Sequence, residues 1–249
     1  MSKMTLLEVV QDILSDMESD EVNSISDTVE SLQIAQIVKS TYYNIIDGRD
    51  YPFLHELFQL DSSTSTAKPT HLGIPETIID LDWIKYNKKK VTDTKNKYEK
   101  VKYKDPEEFL NIVNGRDSSV ANVLVVLDST GIQLNILTDV APTYYTSFDD
   151  ETLVFDSYDS ALESTLQNSK TQCYGKRSVA FTLDDAFVPD LPVQMFTYLL
   201  NEAKATSFAI IKQVANVKAE QNSITQKRRM SQEAWKLKNG VSFPNYGRK

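Results

Sequence analysis

The side chains able to do chemistry in this chain are mostly acids, and several come in close groups: Asp80 with Asp82, Asp149 with Asp150 and Glu151, and Asp184 with Asp185. Asp80 and Asp82 are two apart in a segment that reads as a strand, which puts both on one side of it. Two carboxylates so placed can hold Mg²⁺ for phosphodiester cleavage. Nearby lies a cluster of lysines that would help hold a phosphate backbone: Lys85, Lys88, Lys89, Lys90, Lys95, Lys97, Lys100, Lys102 and Lys104. A metal-dependent nuclease or nucleic-acid-processing enzyme using Asp80 and Asp82 is therefore one reading. Against it, no pair belongs to a larger motif, and in a chain with 35 acids such pairs are ordinary caps and solvated faces.

Other chemistry has little material. His55, His71 and Cys173 are the only histidines and the only cysteine, so Cys173 with His71 is the one nucleophile and base combination to weigh, and pairs so far apart in sequence match by chance. The glycines form neither G-x-x-x-x-G-K-[ST] nor G-x-G-x-x-G, which removes a motor or nucleotide enzyme built on a phosphate loop. No catalytic residue, cofactor or metal is expected.

Composition bounds the rest. With 249 residues, 41% hydrophobic and 25% charged, the chain is globular, with enough apolar material for one sizeable core or two modest ones. A formal net charge of -8 argues against a surface that binds nucleic acid throughout, although a local basic patch remains open at the lysine cluster. That patch reads either as a contact for nucleic acid or an acidic neighbour, or as a solvated hairpin whose lysines block edge-to-edge pairing. A single cysteine excludes an intramolecular disulfide and fits a reducing cytoplasm. No signal-peptide pattern and no membrane-spanning apolar run are present, so no membrane partner is expected.

The elements that position these residues follow from periodicity and punctuation. Thr5 caps a helix carrying Leu6, Leu7, Val9, Val10, Ile13, Leu14 and Met17. Ser26 or Asp27 caps a second, running from Val29 toward a stop at Gly48. A strand begins at Ile78, and the lysines lie on two exposed strands around a turn near 93–96. Asp105-Pro106 starts a short helix that Gly115 closes, and Asp128-Ser-Thr-Gly joins two β-rich segments as a hairpin. Further strands are expected at 144–148, 152–155 and 178–183, with a helical excursion over 158–167. From Pro192 to about Trp235, apolar residues return at helical spacing with no Gly or Pro, which predicts one long helix of ~60 Å whose basic end reaches outward.

The fold class expected is α+β: a helical bundle, made of the N-terminal helix pair and the long C-terminal helix, with a small β-rich domain inserted. The boundaries are 1–56 for the helix pair, 57–183 for the insert, 184–236 for the long helix and 237–249 for a tail.

The string Thr5-Leu-Leu-Glu-Val-Val-Gln-Asp-Ile-Leu-Ser, then Glu21-Val-Asn-Ser-Ile, then a capped helix with aromatics near its end, resembles the opening of the tail tubular protein A family, the head-to-tail adaptors of short-tailed bacteriophages. Glu21 stands where Pro is common in that family. The resemblance covers the first fifty or so residues and extends to the C-terminal helical arm, while the middle matches mainly in its order of elements.

It implies a virion structural protein of the neck, assembled in the host cytoplasm: a ring of about twelve copies closed by heterologous contacts between portal and tail nozzle. Such a ring lines the DNA passage, touches genomic DNA transiently and without sequence preference, and docks nozzle or fibre proteins. In this reading Arg228, Arg229, Trp235, Lys236, Phe243 and Tyr246 form the portal interface, since they combine charge-assisted donors with aromatic anchors. Another neck or tail connector is the nearest alternative.

Overall fold

The computed structural model describes residues 3–48, 50–62, 65–128 and 130–239, except the side chains of Gln194 and of residues 232–239. The chain divides into two compact units, Met1–Leu54 with Val179–Lys249, and His55–Ser178.

The first unit is helical. In α1 (Leu6–Asp16) Thr5 and Glu8 close a capping box, and Leu6, Val9, Val10, Ile13 and Leu14 are buried at helical spacing. The Asp27 carboxylate accepts the backbone N–H groups of Asn23 and Ser24, and Asp185 accepts that of Ile25 at 2.8 Å, so acids shape the reversal that follows. The cap of α2 (Val29–Asp47) is Thr28, with Ser31 completing its box, rather than Ser26 or Asp27, and α2 stops at Gly48.

The predicted long helix is broken. α4 (Val193–Ser207) passes into a π-helical turn at Phe208–Lys212, Gln213 takes a left-handed conformation at φ 54, and α5 (Val217–Asn239) begins after Asn216, whose side chain accepts the Ala219 N–H at 3.1 Å. α5 then runs back along α4: the Ser223 hydroxyl donates to Glu202, and Asn201 donates to Gln226. Ala219, Ser223 and Met230 form the buried stripe that makes this packing close. A left-handed turn made by Gln instead of Gly leaves no punctuation to read, which is why the pattern alone suggests a continuous helix.

The second unit overturns the expected fold class. The molecule is α+β, with five α-helices among the described residues, but it is dominated by a large curled eight-stranded sheet, and is not a helical bundle with a small β insert. Its strands are β1 (His55–Phe58), β2 (Asp61–Ser62), β3 (His71–Gly73), β4 (Ile78–Asn87), β5 (Tyr98–Tyr103), β8 (Tyr144–Ser147), β9 (Thr152–Phe155) and β10 (Thr171–Arg177), in the order β1-β10-β4-β5-β8-β9-β3-β2. All neighbours are antiparallel except β5 and β8. That parallel pair needs a crossover, supplied by α3 (Pro106–Asn114) and the hairpin β6 (Val123–Leu127) and β7 (Gln133–Leu137). Pairing β5 with β8 joins two four-stranded halves into one sheet, a non-local event that no local pattern announces.

Two smaller expectations fail. The last strand is 171–177 rather than 178–183, and the stretch 158–167 is turns and bridges rather than helix. The core of this unit gathers Ile84, Tyr86, Phe109, Leu134, Phe155 and Cys173, all 0–1% exposed.

Candidate functional site

The carboxylate pair of the nuclease reading is taken apart by the backbone. Across β10 and β4, Tyr174 faces Trp83 and Gly175 faces Leu81, so Asp82 is the extra residue of a β-bulge and the alternation that aligned it with Asp80 does not hold. Gly175 allows it, because a Cβ there would collide with the Asp80 carbonyl oxygen. The Asp82 carboxylate is bound by His55 Nδ1 at 2.8 Å, and Asp80 accepts the Leu81 N–H. Among the described residues no group of three or more His, Cys, Asp or Glu side chains is placed to hold a metal ion. Cys173 sits in the core, where burial pushes its thiol up to about 12, and four strands separate β10 from His71 on β3 in the sheet order. It is not a thiolate nucleophile.

Four of the nine lysines are engaged by neighbouring side chains. Lys88 and Lys97 both pair with Glu99, whose carboxyl they hold below its usual range, and Lys104 pairs with Glu108. Lys85 lies 4.8 Å from the Trp83 ring centre, and the other ring contact of Trp83 is a stack on Tyr174, which stacks in turn on His55. Trp83 is thus engaged by a cation and by a second ring, as in a self-satisfied cross-strand ladder. Lys90, Lys95, Lys100 and Lys102 are exposed, and Lys89 is half-buried. Lys100 stands directly opposite Lys85, a like-charge cross-strand pair that works against the β4–β5 pairing.

Of the residues expected at a portal interface, Arg228 and Arg229 are exposed on α5. Trp235 and Lys236 fall on the same helix but their side chains lie outside the described residues, as do Phe243 and Tyr246 altogether. In the helical unit α4 packs against both α2 and α5, and a groove of about 430 Å³ opens over it, lined by Gln36, Ser40, Asn44, Glu202, Ile210 and Lys227. Further apolar side chains are exposed on these helices: Val29 (85%) on α2, Val193 (44%) on α4, and Val217 (58%) and Ile224 (52%) on α5. Lys204, on α4, bridges Asp12 and Asp16 of α1 at 2.7 and 2.6 Å. Burial pulls its ammonium down, but the two carboxylates outweigh this and hold it above the ordinary lysine value.

Sequence reasoning passed over a second cavity, of about 510 Å³, in the sheet unit. It is bordered by β2, β3, β9 and the turns that follow β6 and β8, and the residues with chemistry there are Asp61, Lys68, His71, Asp128 and Asp149. His71 is 5% exposed and neither ring nitrogen has a hydrogen-bond partner. Burial, with Lys68 beside it, holds the imidazole below its ordinary value of 6.5, against the opposite pull of Asp128 and Asp149. Three carboxylates and an unpartnered histidine meet here from segments spread over some ninety residues of chain, so only the pairing of β3 with β9 could have revealed them.

No family model matches the chain, and a search of curated proteins gives no match either.

Proposed function

We propose that the chain is a virion structural protein, the head-to-tail adaptor that forms a ring between portal and tail nozzle in a short-tailed bacteriophage. The observation that carries this reading is the N-terminal string from Thr5 to Ile25, with the helix that follows it. Its two helices are each closed by a capping box, and the loop between them is clasped by Asp27 and Asp185. The helical surface supports it further. An unfilled groove over α4 and exposed apolar residues on α2, α4 and α5 are what a subunit needs when a neighbouring copy covers it, and heterologous contacts that close by rotation give a ring.

In this reading α5 is the docking element. Among the described side chains of α5 only Ala219, Ser223 and Met230 are buried, which leaves Lys218, Arg228 and Arg229 outward as charge-assisted donors for an acidic portal surface. The experiment is charge reversal on the full chain: Arg228→Glu with Arg229→Glu abolishes portal binding while circular dichroism and the thermal midpoint stay unchanged. Undiminished portal binding by the double variant overturns the docking assignment. Transient contact with DNA falls in this account to the exposed lysines at the β4–β5 hairpin, Lys90 and Lys95 among them, and is salt-sensitive and sequence-independent.

A further inference from the structure

The cavity around His71 is not used by the adaptor reading, and its chemistry is specific. A buried imidazole whose two nitrogens both lack partners loses the hydrogen bonds it had in water without replacement. Such a group is retained where something else completes it.

The surroundings define that partner. Among the described residues Asp61, Asp128 and Asp149 line the cavity with Lys68, a net negative lining with the imidazole neutral. Two of the carboxylates are held in place from behind: Asp149 accepts the N–H groups of Glu151 and Thr152 at 3.1 and 2.7 Å, and Asp128 accepts the Thr130 hydroxyl at 3.3 Å. Phe148 adds an aromatic ring to the lining, with Val154 as an apolar wall. A volume of about 510 Å³ falls within the range of small-ligand sites and far exceeds the space a bare ion fills. No cluster of metal-ligating side chains is present among the described residues.

We propose that this cavity binds an organic cation with N–H donors, a guanidinium or alkylammonium group, whose charge meets Asp61, Asp128 and Asp149 and whose N–H is accepted by a ring nitrogen of His71. Phe148 flanks the cation as its ring partner. The neutral imidazole has one nitrogen free to accept, so protonation of His71 removes the acceptor and adds a like charge. Binding therefore weakens on acidification, with Lys68, Asp61, Asp128 and Asp149 as the charged groups that set where this occurs.

The test is a titration of the full chain with agmatine, which carries both a guanidinium and an amine, followed on the ring C–H resonances of the two histidines at pH 7.5. Saturable shifts at His71, none at His55, and a binding constant weakened about fivefold or more by Asp128→Asn and by Asp149→Asn are expected. In His71→Phe the rise in thermal midpoint caused by agmatine disappears. A second arm uses N-acetyl-arginine methylamide, an arginine side chain as a protein presents it: if it binds, the natural occupant is a residue of a partner, and if agmatine alone binds, it is a free amine. The proposal is overturned by unmoved His71 signals up to about 10 mM agmatine, by equal affinity in the aspartate variants, or by a response to Zn²⁺ without one to agmatine. The outcome is independent of whether the chain assembles with a portal.

Discussion

Asp156 directly follows β9, and β3, which carries His71, pairs with β9, so the two lie close together in one unit and are buried alike, 3% and 5% exposed. Their polar atoms are treated in opposite ways. The Asp156 carboxylate takes the Arg116 guanidinium at 2.8 Å on one oxygen, and the N–H groups of Thr143 and Tyr144 at 2.9 Å on the other. Arg116 also donates to the Asn135 and Asp156 carbonyls, tying the end of α3 and strand β7 to the start of β8. His71 has no partner at either nitrogen. The first centre is a completed network that fixes the crossover in place; the second is an incomplete one that opens on a cavity. Burial alone therefore does not tell these two centres apart; the satisfaction of their polar atoms does.

Substitutions at the two centres should differ in size and even in sign. Asp156→Ala leaves the half-buried Arg116 guanidinium without its carboxylate and the Thr143 and Tyr144 N–H groups without their acceptor, and is expected to lower unfolding free energy by about 2–4 kcal/mol in urea titrations. Replacing the acid by Asn keeps one acceptor oxygen for the Thr143 and Tyr144 N–H groups but sets an NH2 against Arg116, so it also destabilises, by less than Ala. His71→Phe removes an unpartnered polar group and keeps an aromatic ring, so stability should change by no more than about 1 kcal/mol, in either direction. A loss as large as that of Asp156→Ala would show that His71 is a structural keystone, and would erase the contrast.

Acidity sharpens the same comparison. His71 has a folded-state value below the 6.5 of the unfolded chain, so below pH 6.5 the unfolded chain takes up a proton that the fold refuses. Stability is full above pH 6.5 and falls as pH drops toward the lowered value. Between pH 7 and pH 5 the urea midpoint of the wild type should therefore fall further than that of His71→Phe; parallel curves would mean that the imidazole titrates freely. The smallest effect expected lies in the helical unit. Gln213→Gly should add about 1 kcal/mol of stability, because glycine takes the φ 54 conformation without the clash a Cβ brings. A destabilised variant would indicate that the Gln213 side chain holds the reversal.

What could be read from sequence follows the range of the determinants. Thr5, Glu8, Asp105, Pro106, Gly115 and the Asp128–Gly131 turn act within a few residues, and the elements they open or close lie where those signals place them. The α4–α5 reversal had only Asn216 to announce it, because its left-handed residue is Gln213 and its close packing rests on Ala219 and Ser223, small residues with little periodic signal. The eight-stranded sheet was hidden for a different reason: β5 with β8 and β3 with β9 are partners far apart in the chain, and β2 is two residues long. The His71 cavity exists only through those pairings. The Asp80 and Asp82 pair shows the converse error, a local alternation undone by a bulge that depends on Gly175 across the ladder.

The adaptor reading stands or falls on assembly. Sedimentation velocity and negative-stain imaging of the purified full chain, alone and mixed with portal, should give closed rings of about twelve subunits, or monomers that become such a ring on portal. Monomers that stay monomeric and ignore portal would contradict it.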